Sequence, residues 1–414
     1  MRQYFMPIRD ACCRSQAFVN VHVVCYVHVV VNMPTIVNIG DLSNRALEQA
    51  LGAKLRELLG GIPWLQHWNV EHYPQAQDAG FDLLATLPLP ERKAVLCIAC
   101  KKELRPSAFP SLAEKALSPP GRPRIVVPVL AMPFVTPRLA DLCQQRGWSW
   151  YDLAGNCLID VPNAVHLERH GCAPVHSRPR PVANLSTPEA GRIIRALLVP
   201  ENAGRKWTQR SLETHFGELT RPVPEPSLGL VNKVVRYLHD EAFIETLPEG
   251  GFRLRDPLKL LFAWRDAYRF NRHERLGYFT LLQGKKLRDA LAKMDLEAGG
   301  FTVYAAFSAA EFQAPHVRQP KTWIYVGREY LGALGERIEA KPVDSGENVV
   351  VLIPEDDGVF YMADAGSVGE HRMACTNPVQ TYVDLFYCGG RGQEAAEALL
   401  EQRLKPEWKQ SRLL

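Results

Sequence analysis

The stretch FDLLATLPLPERKAVLCIACKKEL, residues 81–104, carries an acid and a lysine on two neighbouring apolar runs. The runs predict two strands joined by a polar turn, with Asp82 on the first strand and Lys101 at the end of the second. Because strand side chains alternate between faces, residue 99 is expected to share a face with Lys101. Acidic side chains can hold a divalent cation that activates water for phosphodiester cleavage. The pattern therefore raises the hypothesis of a metal-dependent nuclease.

This hairpin resembles the PD-(D/E)xK restriction-endonuclease-like nucleases, which carry Asp on one strand and Glu or Asp, then Lys two residues later, on the next. Asp82 matches the first acid and Lys101 matches the lysine, but alanine stands at position 99. The resemblance implies that Glu57, on the preceding helix, would be a supporting ligand. Mg²⁺ usually needs more than one carboxylate nearby, so Ala99 removes a ligand that cleavage requires. We therefore expect an N-terminal domain that is not an enzyme, and a nuclease using Asp82 and Lys101 is the alternative.

A second set of candidate residues lies in PSLGLVNKVVRYLHDEAFI, residues 226–244, which Ser227 is positioned to cap as a helix. The predicted buried stripe of this helix is Leu230, Val231, Val234, Val235 and Leu238. The opposite face presents an amide and two cations, Asn232, Lys233 and Arg236. Asn can bond adenine through two atoms, whereas Lys and Arg can bind guanine or phosphate. The helix therefore predicts a major-groove contact, with a merely solvated basic face as the alternative.

Further cations flank that helix. Lys206 and Arg210 lie at the start of the preceding predicted helix, where backbone amides and cations commonly bind phosphate. The later segment TLPEGGFRLRD, residues 246–256, predicts a hairpin with a glycine tip and with Arg253 and Arg255 pointing outward. Three predicted helices followed by this hairpin are the order of a winged helix-turn-helix. Its wing would contact the DNA backbone or the minor groove.

Composition and charge describe an ordinary globular chain of 414 residues with a net charge of +4. This charge is mild, so any affinity for nucleic acid must come from a local patch. Ten cysteines without a framework spacing are typical of reduced thiols and predict a cytoplasmic protein. Cys97 and Cys100 have CxxC spacing, but no second pair follows, so zinc is disfavoured. The apolar run of residues 17–32 is too short for a membrane span, and no membrane partner is expected.

The predicted fold class is a multidomain α/β protein with an N-terminal restriction-endonuclease-like α/β domain, a central winged helix-turn-helix and a C-terminal α/β domain. Met33 begins a natural domain opening, so the residues before it are expected to be dispensable, with a strand added to a sheet edge as the alternative. Prolines predict a linker between the first two domains. The predicted segments are an N-terminal extension (1–32), the restriction-endonuclease-like domain (33–172), the linker (173–186), the winged helix-turn-helix (187–256) and the C-terminal domain (257–414).

The middle and C-terminal parts together resemble the AbiEi-type antitoxins and transcriptional regulators of bacterial type IV toxin–antitoxin systems. The resemblance rests on LGLVNKVVRYLHDEAFI, YAAFSAAEFQAPHV, GENVVVLIPEDDGVFY, NPVQTYVDLF and GRGQEAAEALL, and on the earlier turn in YDLAGNCL. It implies a DNA-binding repressor that also counters a toxin encoded nearby, with residues 257–414 as the antitoxin-like domain. The insert GELTRPVPEP departs from the pattern, because it lengthens the turn between the second and third helices.

We therefore expect a sequence-specific transcriptional regulator that binds duplex DNA, and the antitoxin role follows from the resemblance. Asn232, Lys233 and Arg236 would enter a major groove while Arg253 and Arg255 hold the flank. A single winged helix has a small footprint, so a homodimer on paired half-sites is expected. No cofactor or metal is required. The alternatives are the metal-dependent nuclease and a protein-interaction antitoxin that binds a cognate toxin and has only vestigial DNA binding.

Overall fold

The computed structural model describes most of the chain from residue 43 onward. The described stretches are residues 43–65, 68–72, 80–89, 93–115, 125–174, 183–219, 223–297, 301–363 and 374–411. The predicted N-terminal extension and residues 175–182 of the predicted linker lie outside them. No helix within these stretches is both long and apolar enough to cross a membrane.

The described residues form a mixed α/β protein with a seven-stranded, a five-stranded and a two-stranded sheet. The strands are β1 (Asn69–His72), β2 (Leu83–Pro88), β3 (Lys93–Cys100), β4 (Ile125–Met132), β5 (Ser149–Asp152), β6 (Cys157–Val161), β7 (Val165–Arg169), β8 (Ile244–Thr246), β9 (Phe252–Leu254), β10 (Glu274–Thr280), β11 (Thr302–Tyr304), β12 (Thr322–Val326), β13 (Ala340–Pro342) and β14 (Val349–Ile353). The helices are α1 (Asn44–Gly60), α2 (Phe109–Ala113), α3 (Pro137–Gln145), α4 (Pro188–Leu198), α5 (Gln209–Thr214), α6 (Leu228–Asp240), α7 (Pro257–Ala267), α8 (Gly284–Glu297), α9 (Ala306–Gln313), α10 (Leu331–Arg337), α11 (Pro378–Tyr387), α12 (Gly392–Leu399) and α13 (Lys405–Gln410).

The chain divides into two compact units. The first lies within residues 1–104 and 109–178, and the second comprises residues 105–108 together with 179–414. The first unit holds the seven-stranded sheet, and the second holds the other two sheets. The segment 187–256 therefore lies in the same unit as the residues that follow it.

The first unit is built on a sheet whose strands lie in chain order from β1 to β7. β3, β4 and β5 are parallel neighbours, and the other pairs are antiparallel. α1 packs on one face of this sheet, because Leu47, Leu51 and Leu55 repeat at helical spacing and are buried there. The side chain of Ser43 caps α1 by accepting a hydrogen bond from Ala46 N. The helix expected before the hairpin, on which Glu57 lies, is confirmed.

In the second unit, three helices and a short sheet follow one another as α4, α5, α6, β8 and β9. Each helix begins after a residue whose side chain caps it, namely Thr187, Thr208 and Ser227. β8 and β9 are antiparallel, and Trp207 forms an additional bridge to Phe252 of β9. The caps satisfy backbone amides that would otherwise lack partners, which explains why the helices begin there. This order of elements is the one predicted from the sequence.

The five-stranded sheet of the second unit has the order β11-β12-β14-β10-β13, with β12 and β14 parallel. One face of this sheet packs against α8 and α10 through residues such as Leu291 and Leu334. Val350, on the other face, belongs to a core that also contains Ile194 of α4 and Val234 of α6. The segments predicted as a central and a C-terminal domain thus share one hydrophobic core.

Two segments near the end of the chain are less regular than a single strand or a single α-helix. In the run NVVVLIPEDDGVFYMAD, β14 ends at Ile353 and Asp357–Phe360 form a 3-10 turn. The side chain of Asp356 starts this turn by accepting a hydrogen bond from Gly358 N. In the run GQEAAEALLEQRL, α12 passes into a π turn over Leu400–Leu404 before α13 begins.

Candidate nucleic-acid interface

α6 is held in place by an apolar stripe on one side. The buried residues of this stripe are Val231, Val234, Val235 and Leu238. Leu230, which was also predicted to be buried, is only half-buried, because it lies in the first turn at the margin of the stripe. Ser227 caps the helix, and its hydroxyl oxygen accepts a hydrogen bond from Leu230 N at 3.4 Å. The stripe fixes which side of α6 faces outward.

The outward side of α6 carries Asn232, Lys233 and Arg236, which we call the basic face. All three side chains are exposed. Asn232 Nδ2 donates a hydrogen bond to Gln209 Oε1 at 3.1 Å, so α5 orients the amide. Lys233 and Arg236 form no hydrogen bond or ion pair with any residue in the described stretches. Two exposed cations without an acidic neighbour can attract an anion.

The start of α5 contributes two more of the predicted cations. Thr208 and Ser211 form a reciprocal capping box, with hydrogen bonds of 3.0 and 2.9 Å. Arg210 is exposed and has no ion-pair partner among the residues described. Lys206 Nζ lies 3.5 Å from Glu249 Oε1, at the tip of the hairpin. One cation here is therefore partnered by an acid and the other is not.

The β8–β9 hairpin presents its arginines to solvent. Arg253 forms an ion pair with Glu245, which is its cross-strand neighbour on β8. Arg255 is exposed and makes no ion pair within the described part of the chain. Gly251, at the tip, has a φ of +80°, and a Cβ at this position would lie 2.5 Å from Trp207 O. Only glycine fits at this position, because any larger residue would clash with Trp207 O. Gly251 therefore lets the hairpin approach Trp207 closely beside the Trp207–Phe252 bridge.

In the first unit, Asp82 and Lys101 lie close together. Asp82 directly precedes β2, and Lys101 follows β3, which ends one residue earlier than predicted, at Cys100. Lys101 Nζ lies 3.6 Å from Asp82 Oδ2, and the same oxygen accepts a hydrogen bond from Cys100 N at 2.7 Å. Ala99 is 1% exposed and supplies no ligand. The carboxylate of Asp82 is thus satisfied by a lysine and a backbone amide.

Glu57 does not face this pair, because it is exposed and forms an ion pair of 2.8 Å with Lys54. The acid of α1 whose charge reaches the end of β3 is Glu48. The pKa of the Cys100 thiol is raised first by burial and then by the charges of Asp82 and Glu48. The sequence could have identified Glu48 from the rotation of the helix, which is ~100° per residue. Around the helix axis, Glu48 lies roughly 50° from the centre of the buried leucine stripe, whereas Glu57 lies roughly 130° from it. Glu48 is therefore the acid nearer the sheet. In the described stretches, no group of three or more His, Cys, Asp and Glu side chains is placed to hold a metal ion.

The Asp-Leu-Ala-Gly-Asn turn between β5 and β6 stabilises the fold. The buried carboxylate of Asp152 accepts hydrogen bonds from Asn156 N and Nδ2, both at 2.9 Å, and from Val135 N at 3.2 Å. Asn156 in turn bonds the backbone of Cys172 through both its amide atoms. Gly155 adopts a φ of +99°, which the tight turn requires. These polar groups are used in holding three segments together.

A buried polar cluster in the second unit was not predicted from the sequence. Arg195 Nε donates a hydrogen bond to Gln380 Oε1 at 2.6 Å, and Gln380 Nε2 donates to Asp384 Oδ1 at 2.7 Å. The hydroxyls of Tyr268 and Tyr325 donate to the same Asp384 oxygen at 2.9 and 3.1 Å. All five side chains are buried. The cluster joins α4 to α11 and to the five-stranded sheet.

Burial changes the protonation of this cluster. It raises the pKa of Asp384 to about 7, although the hydrogen bonds from the tyrosines and the charge of Arg195 oppose the shift. The second oxygen of Asp384, Oδ2, is buried without a hydrogen-bond partner among the residues described. His273, whose Nε2 lies 2.7 Å from Tyr268 OH, has a pKa lowered to about 4 by burial and by the charge of Arg195. The imidazole is therefore neutral at neutral pH.

A second buried contact links the end of α5 to the C-terminal segment. His215 Nε2 lies 2.8 Å from the hydroxyl of Tyr361, which also accepts a hydrogen bond from Asn202 Nδ2 at 3.0 Å. On the outer side of α4, Arg192 forms an ion pair with Asp356. These contacts anchor α4 and the end of α5 to the segment that follows β14.

Residues 253–405 match the family model described as "Transcriptional regulator, AbiEi antitoxin, Type IV TA system". No curated protein and no solved structure matched the chain. Residues 253–405 are therefore similar to the AbiEi-type antitoxin and transcriptional-regulator domain, and the resemblance predicted from the sequence is confirmed for this region. The match includes Arg253 and Arg255, whereas the basic face lies before it.

Proposed function

We propose that this protein is a sequence-specific regulator of transcription that binds duplex DNA in the cytoplasm and serves as the antitoxin of a type IV toxin–antitoxin system. In this proposal α4, the Trp207 bridge, α5, α6 and the β8–β9 hairpin constitute a winged helix-turn-helix, with α6 as the recognition helix. The order of these elements supports it, as does the regulator description of the domain that begins at residue 253.

The basic face of α6 is the observation that carries the proposal. Its two cations are exposed and unpaired among the described residues, and its amide is held in place by Gln209. An oriented Asn can bond the N6 and N7 atoms of adenine, and an unpaired Arg can bond the O6 and N7 atoms of guanine. A cation that misses a base edge still neutralises a phosphate. The basic face therefore suits the major groove, where its amide and its cations each have a partner.

The flanking cations extend the contact to the DNA backbone. Arg210 and Arg255 are exposed and unpaired within the described stretches. Lys206 and Arg253 are paired with acids, but Lys206, Glu249 and Arg253 are exposed and Glu245 is only half-buried. Exposed ion pairs contribute only ~0–1 kcal/mol, so phosphate can replace the acid at little cost. We propose that α5 and the hairpin hold the two strands on either side of the groove.

In this proposal the first unit is a restriction-endonuclease-like domain that no longer cleaves DNA. Ala99 supplies no ligand, and Asp82 is occupied by Lys101 and a backbone amide. The antitoxin role brings a cognate toxin as a further partner. A homodimer would double the small footprint of one winged helix on paired half-sites.

Selection of bound fragments from genomic DNA by the full chain tests the proposal and gives the operator. The selected duplex is then titrated with protein at several salt concentrations. Phosphate contacts should give a steep negative slope of log K against log salt. Arg236→Ala should weaken binding by ~1–3 kcal/mol if the side chain contacts a base. Arg288→Ala, an exposed cation on α8, is the matched control and should leave binding unchanged.

Binding too weak to measure at moderate salt would contradict the proposal. It would favour instead an antitoxin that acts through protein contacts alone.

A metal-dependent nuclease is the second candidate function, because Lys101 Nζ lies 3.6 Å from Asp82 Oδ2. Incubation of supercoiled and linear DNA with the full chain in Mg²⁺ or Mn²⁺ tests it. Cleavage that disappears in Asp82→Ala would establish a nuclease. DNA left intact by the wild-type protein, under conditions in which it binds the duplex, would exclude one.

A further inference from the structure

The first residue of α6 is a leucine that the fold leaves in solvent. Leu228 is 43% exposed, while the apolar residues at 231, 234, 235 and 238 are buried. Burying an apolar side chain is favourable, and Leu228 gains only part of that benefit within the protein. Its exposed surface is available for a contact outside the protein.

Helix geometry places Leu228 on the same side as Asn232. Residues four apart on a helix are neighbours on its surface, with Cβ atoms ~5–6 Å apart. Their separation along the helix axis is ~6 Å, or about two base-pair steps of 3.4 Å. The amino-terminal residues of a recognition helix are those that contact base edges. The apolar side chain and the amide can therefore meet neighbouring bases.

We propose that Leu228 contacts the 5-methyl group of a thymine in the major groove, within about two base pairs of the base that Asn232 contacts. This inference rests on the proposed function and names a determinant of its sequence preference. The 5-methyl group is the apolar feature of the major-groove edge, and apolar side chains recognise it by contact. A 5-methylcytosine presents the same methyl group beside a different hydrogen-bonding pattern, so an experiment must distinguish the two.

The neighbouring glycine supports a close approach of this end of α6 to another molecule. Gly229 is exposed, and no atom lies within 4 Å of a Cβ built at its position. Packing within the protein therefore does not require a glycine there. Glycine inside a helix costs ~0.5–1 kcal/mol relative to alanine. A surface that docks against the bases at residues 228 and 229 explains why this cost is tolerated.

The test uses the duplex selected by the full chain from genomic DNA, with each thymine replaced in turn by uracil, which lacks only the methyl group. One replacement should weaken wild-type binding by about fourfold, the value of one buried methyl group. The Leu228→Ala variant should be insensitive to that replacement. Leu281→Ala, at a leucine that is 82% exposed beyond β10, is the matched control and should respond as the wild type does.

A second arm replaces the responsive thymine–adenine pair by 5-methylcytosine–guanine or cytosine–guanine. Thymine recognition predicts that both substituted duplexes bind weakly. Tight binding of the methylated duplex alone would show that 5-methylcytosine is the target, and it would overturn the thymine assignment. Equal binding of every uracil duplex and its thymine parent would overturn the inference while leaving the proposed function intact. Absence of salt-dependent binding to any duplex would overturn both.

Discussion

Arg195 Nε and Gln380 Oε1 are separated by 2.6 Å in space and by 185 residues in the chain. The contact is buried, and it joins α4 to α11. The guanidinium also lies 5.0 Å over the ring of Trp264 in α7. Both the donor and the acceptor of such a buried hydrogen bond must stay paired, because an unpaired group would carry its full desolvation cost. The segment proposed to bind DNA is therefore fixed to the region that matches the antitoxin family model.

Replacement of Arg195 should destabilise this junction. Arg195→Met keeps much of the side-chain length but removes the donor, which leaves Gln380 Oε1 buried and unpaired. We expect the free energy of unfolding to fall by ~3 kcal/mol, within the range for breaking a buried charged interaction. Urea unfolding followed by circular dichroism measures it. Arg288→Met, on the exposed side of α8, should change stability by less than ~0.5 kcal/mol, and an equal loss in both variants would contradict the assignment.

Asp384 should make stability depend on pH. Burial raises its pKa to about 7, above the value of ~3.9 in an unfolded chain. The folded state therefore holds an extra proton between these pH values, and the stabilising contribution of Asp384 is full below about pH 4 and is lost as the pH rises to about 7. His273 acts in the opposite direction, because its lowered pKa makes its contribution fall as the pH drops from ~6.5 to about 4.

The Asp384→Asn variant separates these two contributions. Its amide keeps an oxygen acceptor but cannot ionise, so its stability relative to the wild type should increase as the pH is raised from 4.5 to 7.5. The slope of this difference is at most ~1.4 kcal/mol per pH unit. Urea unfolding of both proteins across this range measures it. A difference that stays constant with pH would show that Asp384 does not titrate in that interval.

The sequence predicts the exposed face of α6 well but does not reveal the buried cluster. Ser227 and the apolar stripe are local signals, so the cap and the helical spacing together fix which side of α6 faces solvent. Asp384 and its partners come from α4, the end of α7, β12 and α11, and nothing in the local spacing indicates that they meet. Glu48 is an intermediate case, because helical rotation alone would have placed it nearer the sheet than Glu57.

Lys233 should contribute a phosphate contact that is independent of sequence. Lys233→Ala removes one exposed cation that has no partner among the described residues, and it leaves the buried stripe of α6 unchanged. Binding should weaken alike for the selected duplex and for unrelated duplexes. The slope of log K against log salt should become less negative by about 1, the value for one released counterion. Loss of affinity for the selected duplex alone would instead indicate that Lys233 contacts a base.

Gly229→Ala should separate stability from DNA binding. The residue lies inside α6 without a positive φ, and a Cβ there meets no atom within 4 Å, so alanine fits the free protein. Alanine should raise the free energy of unfolding by up to ~1 kcal/mol, because glycine loses more backbone entropy on folding. The same methyl group would stand between the helix and the bases, so affinity for the selected duplex should fall. Gly332→Ala, at an exposed and equally open site in α10, should stabilise without changing affinity. Unchanged DNA affinity in Gly229→Ala, together with a gain in stability, would mean that this end of α6 stays clear of the groove.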